Sequence, residues 1–266
     1  MKGLGVLALG AVGFLLFGIL FQGPDQTGAP LPALKECFGR AATIVGTEQD
    51  DVLNGTSGVD VIAAGAGNDE IRGVDGDDLL CGEAGDDTIF GDAGLDKLKG
   101  GPGDDELHGG DGDDQLLGSS GADRLLAGAG NDQLFGGPED DHLDGGPGDE
   151  DALLWILARR RVEADLSRGI ATGQGDDTLV NIEWLVGSNG NDILIGDAKD
   201  NVITGAVGKD QISGGPGNDT LDGGPGDDRI DGGPGRDEIN GGPGNDQCLN
   251  GERMSGCPPN PDQKEG

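Results

Sequence analysis

The chain has no tyrosine, and its six phenylalanines and two tryptophans make up 3% of 266 residues. Phe14, Phe17 and Phe21 lie in the first 21 residues, which leaves Phe38, Phe90, Phe135, Trp155 and Trp184 for the rest. An ordinary packed core is excluded, because large-side-chain burial is what offsets chain entropy. Basic residues are few: Lys plus Arg number 17 against 51 Asp plus Glu, a formal charge of -34. That excludes nucleic acid as a partner, since phosphates are held by Lys and Arg, and it favours a cation. The only histidines are His108 and His142, at strand positions expected to face solvent. There is no H-E-x-x-H and no G-x-S-x-G, Gly208-Lys209 belongs to a repeat rather than a P-loop, and nothing outside the repeats is long enough for a catalytic domain. The chain is not expected to be an enzyme.

Long apolar runs are missing too, with one exception. Residues 3–21, GLGVLALGAVGFLLFGILF, follow Lys2 and carry no charge. They read as a secretory signal or as an uncleaved anchor just long enough to span a bilayer. Residues 1–29 form this segment and 30–45 an N-terminal cap. Either reading places the remainder outside the cytoplasm, secreted or on the cell surface, with membrane contact only through the segment if it is uncleaved. The four cysteines are Cys37, Cys81, Cys248 and Cys257. An even count in an exported chain favours disulfides. Cys37 with Cys81 flank the start of the repeats, and Cys248 with Cys257 flank their end. The rival reading is reduced structural thiols, since Cys248 stands where other units have an aliphatic residue.

What the chain has in abundance is glycine, 57 residues, in strict nine-residue register. In the frame of GGPGNDTLD (214–222), eleven units run from residue 46 to 144 and seven from 187 to 249. Position 6 is Asp in 17 of 18 units, the exception being Asn201; position 8 is Leu or Ile in 17, the exception being Cys248. Positions 1 to 5 make a tight glycine turn. Positions 7 to 9 make a short strand with its central side chain inward and its neighbours toward water. One buried Leu or Ile yields about 1.5–3 kcal/mol, while ordering nine backbones costs about 9–18 kcal/mol. Burial alone cannot fold the unit.

If two nonapeptides form one coil, successive position-6 carboxylates on one edge lie about 4.8 Å apart and repel by roughly 3 kcal/mol. A divalent cation between them reverses the sign. Ligands that are all oxygen, carboxylate plus turn carbonyl, favour calcium over magnesium, which demands a stricter geometry. The candidate ligands are Asp51, Asp60, Asp69, Asp78, Asp87, Asp96, Asp105, Asp114, Asp123, Asp132 and Asp141 in the first array. In the second they are Asp192, Asp210, Asp219, Asp228, Asp237 and Asp246. Pairing same-edge neighbours allows at most fourteen calcium sites. The unit at residues 196–204, with Lys199 for the turn glycine and Asn201 for the ligand, is expected to be the weakest.

GGPGNDTLD and its copies resemble the RTX, or hemolysin-type, calcium-binding nonapeptide. The resemblance implies an all-β, right-handed parallel β-roll, a β-helix solenoid with calcium in the turns of both edges. The stretch CFGRAATIVGTEQDDVLNGTSGVDVI also looks like the start of secreted bacterial proteins of this type, which supports Cys37 with Cys81. Residues 145–186 break the period, yet VEADLSRGIATGQGDDTLVNIEWLVGSNGND resembles an interlude that continues such solenoids. Within residues 145–186, Leu153, Trp155 and Ile156 read as a hydrophobic plug and Arg159, Arg160 and Arg161 as neutralising nearby acid, the segment as a whole reading as a tolerated insertion rather than a binding site. Residues 250–266 form a C-terminal cap and polar tail. The function expected is a calcium-binding extracellular structural protein that folds on binding Ca2+. The alternative is a surface adhesion or interaction protein using the roll as a spacer, its surface or matrix partner unidentified.

Overall fold

Positions 7 to 9 contain no glycine in any unit, and an aliphatic residue flanked by mostly polar ones suits a strand with one covered face. Each unit therefore turns at its glycines and extends at its end. The computed structural model describes residues 35–148, 150–155, 158 and 160–257; the apolar run at 3–21 lies outside them. The described residues contain no helix. Successive units deliver strands alternately to two sheets. A 13-stranded sheet runs from Val52–Asn54 to Gln247–Leu249, and a 12-stranded sheet from Ile44–Val45 to Arg253–Ser255. Within the arrays every ladder is parallel, with partners one coil apart, as in Leu107 opposite Ile89 and Leu125. The fold is the expected parallel β-roll.

Position-8 side chains from both sheets form one continuous core. Ile71, Ile89, Leu107 and Leu125 come from one sheet, and Ile62, Leu80, Leu98 and Leu116 from the other, all fully buried. Positions 7 and 9 mostly face outward, but at the N-terminal end Val61, Leu79 and Cys81 are covered by Cys37 and Ala42 as a second small core. The Cys37–Cys81 disulfide ties this cap down. At the other end Cys248 fills the aliphatic position in the main core yet bonds Cys257, so the disulfide reading holds and the reduced-thiol reading does not. His108 and His142 are half-buried rather than open to solvent.

The interlude stays within the sheets. Ala152–Leu154 and Trp184–Val186 take consecutive places in the 12-stranded sheet. Glu163–Asp165, Ile170–Thr172 and Asp176–Val180 join the other, paired antiparallel to one another. Leu153 and Trp155 are buried in the core; Ile156 and Arg159 lie outside the described residues. Arg160 and Arg161 are exposed, and Arg161 pairs with Glu163 at 3.4 Å.

The arrays differ in strand length. Strands from Val61–Ala66 to Arg124–Ala129 have six residues and continue through the turn, whereas those from Ile193–Ile195 to Gln247–Leu249 have three. In four of the second array's seven units position 3 is proline, Pro216, Pro225, Pro234 and Pro243, which has no N–H to give a ladder. Lys97–Pro102 keeps six residues and Val202–Thr204, followed by Val207, has three, so proline alone does not set the length.

Candidate metal centre

Position 6 stands at the corner where the turn ends and the strand begins, and its side chain folds inward beneath the turn. One carboxylate oxygen has a structural partner. Oδ1 of Asp105 accepts the N–H of Asp87 at 2.8 Å, Oδ1 of Asp123 that of Asp105 at 2.9 Å, and Oδ1 of Asp228 that of Asp210 at 2.8 Å. This bond repeats coil after coil and draws the aspartates into two columns, one along each edge of the roll.

The other oxygen is different. Among the described residues, fifteen aspartates bury Oδ2 with no partner: Asp69, Asp78, Asp87, Asp96, Asp105, Asp114, Asp123, Asp132, Asp141, Asp151, Asp210, Asp219, Asp228, Asp237 and Asp246. Glycine at position 1 keeps the space around that oxygen open. A Cβ on Gly205 would fall 2.6 Å from Asp210 Oδ2 and 2.7 Å from the Gly223 carbonyl of the next coil. On Gly223 it would fall 2.5 Å from Asp228 Oδ2 and 2.7 Å from the Gly241 carbonyl. Carboxylate and carbonyl oxygens thus face one cradle from two coils. No three His, Cys, Asp or Glu side chains converge on one point among the described residues, so further donors must come from such carbonyls.

Burial pushes the carboxyls of Asp105, Asp114, Asp141 and Asp210 up to about 7, and the carboxylates one coil away add to the shift. Burial likewise raises Asp78, Asp87, Asp123, Asp132 and Asp219 to about 6. An uncompensated buried carboxylate costs several kcal/mol, while a whole domain is stable by only about 5–15 kcal/mol. Fifteen of them require protons or cations. At neutral pH an all-oxygen cradle fits a hard cation.

Three predicted ligands stand apart. Oδ2 of Asp51, Asp60 and Asp192 is closed from within its own turn by the N–H and hydroxyl of Thr47, Thr56 and Ser188, at 2.6–3.0 Å. The Thr47 bonds hold the Asp51 carboxyl below the usual range. The nine-residue frame also misses members of the columns. Asp151 and Asp177 accept the N–H of Asp132 and Asp141 at 2.9 and 3.1 Å, and burial raises both to about 6. Glu183 and Glu252 do the same for Asp151 and Asp237. A signal for two of these exists in the chain. GGPGDEDAL is a unit with one extra residue before Asp151, and GQGDDTLV is a unit lacking its first residue around Asp177.

A parallel roll with an unpartnered, buried carboxylate oxygen repeated along both edges has the geometry of a cation-binding β-solenoid. The family model for the RTX calcium-binding nonapeptide repeat (4 copies) matches residues 45–80, 82–116, 90–125, 117–149, 186–221 and 213–248, more than half of the chain. The chain belongs to this family and is a calcium-binding repeat protein. No curated protein matches it.

Proposed function

We propose that the chain is an extracellular, non-catalytic structural module whose β-roll forms when Ca2+ enters the glycine turns. The observation that carries this is the row of fifteen buried Oδ2 atoms without partners. Bound calcium supplies the positive charge these oxygens need and takes the facing carbonyls as further ligands. The chain's own part is to orient: Oδ1 is fixed by a backbone N–H, and Oδ2 is left free beside a glycine. Carboxylates of this kind are neighbours four times from Asp69 to Asp141 and four times from Asp78 to Asp151. They neighbour twice from Asp210 to Asp246 and once between Asp219 and Asp237. Eleven sites follow, not fourteen: closure of Asp51, Asp60 and Asp192 removes three, Asn201 removes a fourth, and Asp151 adds one. The export reading rests on the apolar segment at 3–21 and on the two disulfides, which persist in oxidising compartments.

Circular dichroism and native mass spectrometry of the chain from about residue 30 test the proposal. Millimolar calcium should give β structure and close to eleven bound ions; chelator should remove the ions and most of the β structure. Equal β content with and without calcium would overturn it.

A further inference from the structure

The column along the edge of the 12-stranded sheet has one interruption. Its bonds to position-6 N–H groups run from Asp60 through Asp151 to Glu183, and resume from Asn201 through Asp219 and Asp237 to Glu252. Between Glu183 and Asn201 the link is of another kind. The Lys199 ammonium donates to Glu183 Oε1, and Asn201 Nδ2 lies 3.5 Å from the Glu183 carbonyl. Glu183 is 5% exposed, and its Oε2 accepts the Asp151 N–H. Asn201 Oδ1 accepts the N–H of Asp197 at 2.8 Å. Here no buried carboxylate oxygen is left over.

The charges also balance. Elsewhere two carboxylates share one divalent cation; here one carboxylate faces one ammonium, because the turn that gained a lysine also exchanged its aspartate for asparagine. Neither change alone would leave the pair neutral. At the same height on the opposite edge, Asp192 is closed by Ser188 and accepts the Val162 N–H at 2.7 Å. We propose that Lys199 is a built-in cation replacing a metal ion between Glu183 and Asn201, so that the junction from Val162 to Gly205 is held without calcium. The inference rests on reading the open aspartates as calcium ligands. It turns the unit expected to be weakest into the part of the roll least dependent on the metal, from which both arrays regrow when calcium returns.

Hydrogen exchange of the chain from about residue 30 in chelator tests this. Amides from Val162 to Gly205 should exchange at least about tenfold more slowly than those of 61–129 or 211–249, and Lys199→Gln should abolish the difference. The double variant Lys199→Gly/Asn201→Asp should bind one more calcium per chain in native mass spectrometry, and Asp105→Asn should bind fewer. A wild-type junction that exchanges as fast as the arrays overturns the proposal. So does a double variant that gains no calcium while Asp105→Asn loses it, which leaves the ligand reading intact. If Asp105→Asn keeps all its calcium, the ligand reading itself falls, and the proposal with it.

Discussion

In the first array, strands such as Glu106–Asp111 pair through the turn for six residues; in the second, strands such as Thr220–Asp222 stop after three. The turns differ in the same places. Position 2 of the first array includes Val74, Glu83, Asp92 and Ser119 at φ of 91°, 79°, 71° and 96°. In the second it is mostly Gly215, Gly224, Gly233 and Gly242 at 84–94°. A side chain at positive φ costs about 1–3 kcal/mol, which the longer ladders of the first array offset. Four of the seven turns in the second array relieve that strain with glycine and lose the ladder donor to proline, while Ala206 keeps a φ of 72°. Both nonetheless bury aspartate at position 6 and an aliphatic residue at position 8. Those two positions are what the roll requires, and the rest of the turn can be solved in more than one way.

Protons should separate the arrays most. In the first, Asp78, Asp87, Asp105, Asp114, Asp123, Asp132 and Asp141 are raised to about 6 or 7; in the second, Asp210 and Asp219. An unfolded Asp titrates near 3.9. The calcium-free roll therefore binds more protons than the unfolded chain between about pH 4 and 7, and its stability falls as pH rises through that window. This contribution is fully present below about pH 4 and lost above about pH 7. Calcium binding has the opposite dependence, because its ligands must be deprotonated. In chelator, acidification from about pH 8 to about pH 4 should restore β structure, with exchange protection returning more strongly at 61–129 than at 211–249. Unchanged dichroism over that range, or equal recovery of both arrays, would break the comparison.

The caps should differ by less. Cys37 and Cys81 are 44 residues apart, Cys248 and Cys257 nine. Loop entropy assigns about 4 kcal/mol to the first bridge and about 3 kcal/mol to the second. Cys37→Ser also unroofs Val61 and Leu79, so the gap should widen. Denaturant unfolding in saturating calcium measures both, and a larger loss for Cys257→Ser than for Cys37→Ser would reverse the ranking.

The smallest effect sharpens the strand-length argument. Pro234→Ala restores an N–H at position 3 while freeing the unfolded chain, so stability should change by less than about 1 kcal/mol. The new amide at 234 should nevertheless be protected from exchange in calcium, as the corresponding N–H of Ala66 is bonded to Thr47. Free exchange there would show that proline plays no part in ending these strands.

The sequence by itself determined the period, the inward aliphatic and the repeated aspartate, because in a solenoid each unit meets the same neighbours and selection writes the same residue into every copy. Gly205 and Asp210 are legible for that reason: one requirement recurs down the chain. The two disulfides were legible from the places of their cysteines at the ends of the arrays. What only the tertiary structure decided is which aspartates are open. Asp60 and Asp78 look alike in register, but Thr56 closes one and nothing closes the other. Asp151 and Asp177 sit off the frame and still join the columns, since a column is defined by stacking between coils and not by counting along the chain. Lys199 read alone is a flaw in a turn. Its role appears only when the fold brings Glu183, which belongs to no repeat, against it, and the sign of a charge's contribution depends on the partner it meets after folding.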